Sequence, residues 1–147
     1  MTTVVHFGRG ENTVLSNFDW ARFEFRGGTY SCAEAAYQSW KTGRYIPGFE
    51  HKSGFNAKKA GRGIAPNKDI TRELMKEIIQ AKFEQVPEFR DALLDTDEIE
   101  HPVHDRFWSV AFPEILVEVR DGSKEVPNKV SWKSKVIPKL KGWFSND

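Results

Sequence analysis

The sequence predicts a helix-rich α+β domain with a small antiparallel sheet. At 147 residues the chain fits one domain that can bury a substantial core. The pair Gly27-Gly28 separates two short β-prone runs, which is the pattern of a hairpin. Residues 69–85 instead repeat apolar side chains at helical spacing. No internal repeat or linker interrupts the chain, so we expect a single domain over residues 1–147.

The first half of the chain contains three predicted strands and two predicted helices. The strands are expected at 3–7, 23–26 and 29–30, the last two on either side of the glycine pair. A helix over 31–42 follows at once, and a shorter helix over 56–61 ends at the turn Gly61-Arg62-Gly63.

The second half begins with the strongest periodic segment. Its apolar residues predict a core helix over 69–85, and Pro87 is well placed as the first residue of another helix. Residues 98–110 show no clear period. A strand is expected at 115–120, followed by a turn at Asp121-Gly122.

Composition excludes several classes of protein. The net charge is +1, so no overall basic excess draws the chain onto nucleic acid or anionic membrane. Cys32 is the only cysteine, which rules out an internal disulfide. No run approaches the ~18 apolar residues of a membrane span, and the N-terminus lacks a signal-peptide pattern. We therefore expect a cytoplasmic protein.

The helix predicted over 31–42 carries the most informative side chains. Glu34, Gln38 and Lys41 occur at i, i+4 and i+7, within about 40° of one another around the helix axis. Tyr37 lies on the neighbouring stripe. A carboxylate, an amide and an amine on one rigid surface beside an aromatic ring can serve a polar substrate.

The same segment has a purely structural interpretation. Ser31 and Glu34 spell the capping box, in which the Glu side chain returns to the backbone amide of the N-cap residue. Glu34 and Gln38 also match an ordinary pair on a helix surface. Spacing alone leaves both interpretations open.

Two further segments offer groups that can bind a nucleotide. Ser16 and Asn17 lie between apolar residues, where they form either a local turn or a contact to ribose hydroxyls or a base edge. Arg62 lies between two glycines and offers a bidentate fork to phosphate, although a helix C-cap has the same composition.

Residues 100–108 form the third such segment. Asp105 is a carboxylate among aromatic residues such as Trp108 and is a candidate site residue, or else the partner of a surface ion pair. His101 and His104 invite a metal interpretation, but they occur beside a proline without a Cys partner or a zinc-binding motif. We expect no metal and no cofactor.

Taken together and in this order, these segments resemble the NADAR superfamily of YbiA-like proteins, which are associated with NAD and ADP-ribose chemistry. The resemblance covers roughly residues 12–108. It is carried by Leu15-Ser16-Asn17-Phe18, by 33–41, by Ala60-Gly61-Arg62, by Met75 with 81–88, and by Glu100-His101 followed by Asp105-Arg106-Phe107-Trp108. The Glu-x-x-Tyr-Gln-x-x-Lys row followed by Asp-x-Phe-Trp is its most specific part.

The resemblance implies a small, helix-rich α+β hydrolase that cleaves N-glycosidic bonds. Family members act on phosphoribosylaminopyrimidine intermediates of riboflavin synthesis or remove ADP-ribose from modified guanine. By resemblance, Glu34, Lys41 and Asp105 are the catalytic residues. The residues that shape the ribose, phosphate and base pocket are Ser16, Asn17, Tyr37, Gln38, Arg62 and Trp108.

The chain departs from the family pattern in two places. The segment after Trp108 reads Ser109-Val110-Ala111-Phe112-Pro113 where the family usually has glycine, and the last ~30 residues, including Asn128, are diverged. Ala35 and Ala36 replace the aromatic or His residues that often follow the glutamate. A non-catalytic NAD or ADP-ribose binding module is therefore the alternative function.

The expected partner is a small ribosyl-phosphate compound, with no membrane involved. An ADP-ribosylated nucleic acid would need a basic rim. The residues that can supply such a rim, or simply form a solvated face, are Lys129, Lys133, Lys135, Lys139 and Lys141.

Overall fold

A computed structural model of the chain describes residues 2–5 and 13–125, with side chains given as far as residue 122. The chain divides into two compact units, Met1–Val117 and Glu118–Asp147. In the second unit the described part is the helical segment 118–125. The predicted basic rim from Lys129 onward lies outside the described residues, and the expectation of one domain over 1–147 stays a prediction.

The first unit confirms a helix-rich α+β architecture with a small antiparallel sheet. Strands β2 (Phe23–Phe25) and β3 (Gly28–Tyr30) pair antiparallel, with Phe23 opposite Tyr30. The turn between them is Arg26-Gly27, one residue earlier than the predicted glycine pair. Both turn residues have positive φ, 49° and 85°, as a two-residue type I′ turn requires.

The predicted helix 31–42 is helix α1, Ala33–Trp40. The interpretation of Ser31 and Glu34 as a capping box is wrong. The N-cap residue is Cys32, and no side chain caps the helix. Ser31 Oγ donates to the carbonyl of Lys52 instead, which leaves the Glu34 side chain available for other contacts.

Three helices follow α1. They are α2 (Gly54–Ala60), α3 (Thr71–Gln85) and α4 (Pro87–Leu94). Ser53 begins α2 by accepting a hydrogen bond from Asn56 N at 3.1 Å, an N-cap that the sequence analysis missed. Pro87 is the first residue of α4, as predicted. The side chains of Leu74, Ile78 and Ile79 on α3 are buried, and α3 contacts α1, α4 and β2.

The region after α4 differs most from the sequence-based expectation. Residues of the aperiodic segment form strand β4 (Glu98–Glu100), which pairs in parallel with β1 (Thr2–Val4). The predicted strand 115–120 and the turn at Asp121-Gly122 are wrong, because both lie within helix α5, Arg106–Glu125.

The physical reason is the spacing of the buried residues of α5. Ala111, Phe112, Ile115 and Leu116 are all buried, at i, i+1, i+4 and i+5. That spacing follows a helical face, although the β-branched residues within 115–120 favour a strand locally. In residues 2–5 and 13–125, no helix is long and apolar enough to cross a membrane.

Candidate active site

A cavity of about 360 Å³ gathers most of the predicted site residues within the first unit. It lies among α1, α2, α3, the 101–105 segment and the start of α5. Its lining residues are Asn17, Glu34, Tyr37, Gln38, Lys58, Met75, His101, Val103, His104, Asp105, Trp108 and Phe112.

Glu34 is the buried acid of this cavity. Glu34 is only 9% exposed, although its side chain carries a carboxyl group. Gln38, one turn later on α1, donates from Nε2 to Glu34 Oε2 at 2.7 Å. Burial raises the pKa of Glu34, while the Gln38 hydrogen bond and the charges of Lys58 and Lys41 oppose the rise. Burial thus favours the protonated form of this carboxyl.

Lys41 belongs to the same row on α1 but is not among the residues that line the cavity. Its Nζ donates to the carbonyl of Gly61 at 2.8 Å. Burial lowers the pKa of Lys41, and the charge of Glu34 opposes that shift. The amine is therefore close enough to Glu34 to influence it electrostatically while being anchored to the end of α2.

Gly61 also fixes the amide of Gln38. A Cβ placed on Gly61 would lie 1.9 Å from Gln38 Oε1 and 3.3 Å from Lys41 Nζ. Gln38 is 5% exposed, and its Oε1 is buried without a hydrogen-bond partner among the described residues. Only glycine at this position allows the end of α2 to approach the Glu34–Gln38 pair so closely.

Asp105 lines the cavity opposite α1 and also begins a helix. Its Oδ1 accepts a hydrogen bond from Trp108 N at 3.1 Å, the geometry of an N-cap on α5. One carboxylate oxygen thus has a structural role. The side chain remains exposed, and its charge is felt by Tyr37.

Tyr37 and Trp108 form an aromatic wall. Their ring centroids lie 5.7 Å apart at an interplanar angle of 88°. Burial raises the pKa of Tyr37 to about 12, and the charges of Glu34 and Asp105 add to that rise. Tyr37 therefore stays protonated at neutral pH and can act only as a hydroxyl, not as a phenolate.

Asn17 lines the cavity, whereas its neighbour Ser16 does not. Asn17 Nδ2 lies 3.5 Å from Met75 Sδ, and its Oδ1 is buried without a partner among the described residues. The carbonyl of Asn17 accepts the hydrogen bond of Glu34 N at 3.0 Å. Ser16 Oγ accepts a hydrogen bond from Phe18 N at 3.0 Å, which is a local turn contact.

Arg62, like Lys41 and Ser16, is a predicted site residue that does not line the cavity. It is exposed. The backbone amides of Gly61 and Arg62 donate to the carbonyls of Ala57 and Lys59, at 3.0 and 3.3 Å. These two amides are therefore used to end α2.

Three cationic or ionisable residues line the cavity that were not among the predicted site residues. Lys58 comes from α2, and His101 and His104 come from the segment before α5. His101 is 9% exposed, and its Nδ1 lies 2.9 Å from the carbonyl of Val5. Because a carbonyl only accepts, Nδ1 carries the proton in the neutral ring. The only sequence signal for these residues was the pair Lys58-Lys59 and the His-x-x-His spacing.

Among the described residues, no group of three or more His, Cys, Asp or Glu side chains is arranged to hold a metal ion.

Comparison with solved structures identifies the fold. The chain matches the NMR structure of the E. coli protein YbiA with a TM-score of 0.70 and 21% sequence identity, over 83% of this chain and 85% of that one. The architecture is therefore YbiA-like, and at this identity the likeness concerns the fold. No protein-family model matches the sequence, and no curated protein matches it.

Proposed function

We propose that this chain is an N-glycosidase that hydrolyses the bond between the ribosyl C1′ and a base nitrogen in a ribosyl-phosphate or ADP-ribosyl compound. The observation that carries the proposal is Glu34, a buried carboxyl that faces a cavity with an aromatic wall. Candidate substrates are a phosphoribosylaminopyrimidine of riboflavin synthesis and an ADP-ribosylated guanine.

The proposed reaction adds water across one bond. As the C1′–N bond breaks, its electron pair leaves with the base and positive charge develops on C1′ and the ring oxygen. Water supplies the hydroxyl at C1′, and a proton ends on the departing nitrogen. An ionised Glu34 beside C1′ stabilises the cation and orients the attacking water.

Asp105 is proposed as the second carboxylate. Its Oδ1 is held by Trp108 N, so Oδ2 is the oxygen that activates water or assists the leaving base. Trp108 and Tyr37 offer ring faces or edges to the base, and the partnerless Oδ1 of Asn17 accepts a hydrogen bond from a ribose hydroxyl. Lys58 lines the cavity and is better placed than Arg62 to attract a substrate phosphate.

Lys41 has an electrostatic role in this proposal. Its Nζ is bonded to the Gly61 carbonyl, so attack on an opened ribose to form an imine would require the amine to leave that bond. Borohydride reduction during turnover, followed by peptide mass analysis, separates the two roles. A reduced adduct at Lys41 would establish the imine route, whereas a protein without an adduct supports the electrostatic role.

The direct test is release of a base. The protein is incubated with the candidate ribosides, and products are separated by chromatography. Glu34→Gln keeps the size of the side chain and should lower release by ~100-fold or more, within the usual contribution of a catalytic acid or base. Glu73→Gln, an exposed carboxyl on α3, is the matched control. Full activity of Glu34→Gln would remove Glu34 from the mechanism.

A non-catalytic ADP-ribose or NAD binding module is the second candidate. It is favoured by the bonds of Lys41 and Asp105, since each has a structural partner in the fold. Titration calorimetry with ADP-ribose distinguishes the two functions. Binding that survives in both wild type and Glu34→Gln, without release of any base from the candidate ribosides, would favour the binding module.

A further inference from the structure

An open groove of about 700 Å³ lies beside α2, separate from the cavity that holds Glu34. It shares no lining residue with that cavity. Its lining includes the side chains of Trp20, His51, Lys52, Ser53, Asn56 and Lys59. Its volume is in the usual range of small-molecule sites, roughly 300–1,000 Å³.

We propose that this groove is a second binding site, for a nucleoside monophosphate unit whose base stacks on Trp20 and whose phosphate lies between Lys52 and Lys59. The proposal concerns a site additional to the Glu34 cavity and does not depend on the glycosidase reaction.

Trp20 supplies the stacking surface. The residue is 61% exposed, although an indole ring is among the largest apolar surfaces a side chain can bury. Exposed aromatic rings beside cations are a common stacking surface for nucleobases. A planar ligand that covers Trp20 would remove this apolar surface from water.

The charge of the groove selects an anion. Lys52 and Lys59 line it, and neither ammonium group takes part in an ion pair within the described part of the chain. No Asp or Glu lines the groove. The carboxyl of Glu50 nearby is engaged by Tyr45 Oη and by Gly48 N, and the charge of His51 favours its ionised form. Lys52 and Lys59 can therefore both bind an anionic group such as phosphate.

The groove also has polar side chains that bear on hydrogen bonding to the base, those of Ser53 and Asn56. Ser53 Oγ is occupied as the N-cap of α2, where it accepts the hydrogen bond of Asn56 N. The side-chain amide of Asn56 makes no hydrogen bond among the described residues and is exposed at the groove. An amide offers both a donor and an acceptor, which suits the edge of a base.

Helix α2 makes the groove and the cavity separable by mutation. Successive residues of a helix point about 100° apart. Lys58 accordingly lines the Glu34 cavity, and Lys59 lines the groove. Phe55 on the same helix is 63% exposed and lines neither site, so it matches Trp20 in exposure and chemistry.

The test is titration of the full chain with AMP, followed by calorimetry and by the indole N–H signals in NMR spectra. Trp20→Ala should weaken AMP binding by at least about fivefold, and Lys59→Gln should weaken it and reduce its salt dependence. Phe55→Ala should leave it unchanged. Because all three side chains are exposed, the variants should fold, and their circular dichroism spectra check this.

Several outcomes would overturn the proposal. AMP that fails to bind at millimolar concentration would do so, as would binding that is lost in Lys58→Gln but kept in Lys59→Gln. Adenosine and inorganic phosphate, tested separately, should each bind more weakly than AMP, and equal binding of phosphate alone would remove the role of Trp20. If an oligonucleotide bound far more tightly per nucleotide than AMP, the groove would be a site for a single-stranded nucleic acid and not for a mononucleotide.

Discussion

Burial of the Glu34 carboxyl affects stability as well as chemistry. Its pKa is raised from 4.5 in the folded state, so the folded state binds more protons than the unfolded state between the two pKa values. Stability therefore falls as the pH rises through that window, and the loss is complete above the folded pKa. The ionised form of Glu34 is therefore destabilising in the folded protein.

Glu34→Gln should accordingly stabilise the protein at pH 7. Glutamine can still accept the hydrogen bond from Gln38 Nε2, and no charge is buried. We expect a gain of about 1 kcal/mol, or roughly 3 °C in Tm, measured by thermal unfolding. The gain should vanish near pH 4, where the wild-type carboxyl is protonated. A lower Tm at pH 7 would show that the ionised carboxylate is net stabilising.

Gly61 controls the position of Gln38 and, through it, of Glu34. Gly61→Ala places a methyl group where Gln38 Oε1 lies, so the amide must move and its bond to Glu34 is lost. That bond lowers the pKa of Glu34, so the carboxyl should titrate at a higher pH in this variant.

The measurement is carboxyl carbon NMR over a pH series, which needs no substrate. Gly63→Ala is the matched control, because nothing lies within 4 Å of a Cβ there. Both variants lose one glycine in the same turn, so a general effect on the backbone would appear in both. An unchanged Glu34 titration in Gly61→Ala would show that Gln38 adapts without releasing its partner.

At the scale of elements, α3 carries a buried cation. Lys82 is fully buried, donates from Nζ to the Ser16 carbonyl at 3.3 Å, and lies 4.3 Å from the centroid of the Phe89 ring. Burial lowers its pKa to about 8, against the charges of Asp19 and Cys32. α3 thereby ties α4 to the turn that presents Asn17 to the cavity.

Lys82→Met should change the pH dependence of stability. Between pH 8 and 10.5, Lys82 is protonated in the unfolded wild type but has released its proton in the folded state. The contribution of Lys82 to the free energy of unfolding therefore rises with pH in this range. The free energy of unfolding of the wild type, relative to that of Lys82→Met, should therefore rise by up to about 3 kcal/mol between neutral pH and pH 10. Urea unfolding at several pH values measures this, and a constant difference would mean that Lys82 stays charged throughout.

Elements with a strong local signal could be predicted from the sequence. The long periodic helix, α3, begins two residues later than expected and ends as predicted at Gln85. Pro87 fixed the start of α4 because its ring suits the first helical turn. The hairpin was found but its turn was displaced by one residue, since the sequence does not show that Arg26 adopts positive φ.

Elements whose identity depends on distant contacts were missed. β4 is three residues long and exists as the parallel partner of β1, about a hundred residues earlier in the chain. Within α5, the β-branched residues favour a strand locally, and Pro113 argues against a continuous helix. The helix forms nevertheless, because Phe112, Ile115 and Leu116 are buried on one of its faces. Local propensity was overridden by burial.

The site shows the same division. Glu34, Tyr37 and Gln38 lie on one helix, so helical spacing alone brought them together. Lys41, at the C-cap of the same helix, follows the predicted row but turns to Gly61. Lys58 and His101 come from other elements, and only the folded arrangement brings them to the cavity.

At the scale of the whole first unit, the cavity is a junction of distant segments. Asn17, Glu34 and Met75 come from the first two thirds of the chain, and Asp105 and Trp108 from beyond α4. A ligand that contacts both groups holds the 101–108 segment against α1. Since the unfolded chain lacks this arrangement, such a ligand should raise the free energy of unfolding.

ADP-ribose should therefore stabilise the protein against heat. At a hundred times its Kd the gain is about 2.7 kcal/mol, roughly 5–10 °C in Tm for a chain of this size. Trp108→Ala should reduce the shift, since Trp108 lines the cavity, whereas Val110→Ala is the control because Val110 on the same helix is 59% exposed and does not line it. Differential scanning fluorimetry over a ligand series gives the measurement. A shift that survives Trp108→Ala but disappears in Lys59→Gln would assign ADP-ribose to the groove beside α2, and no shift at any concentration would exclude it as a ligand of this fold.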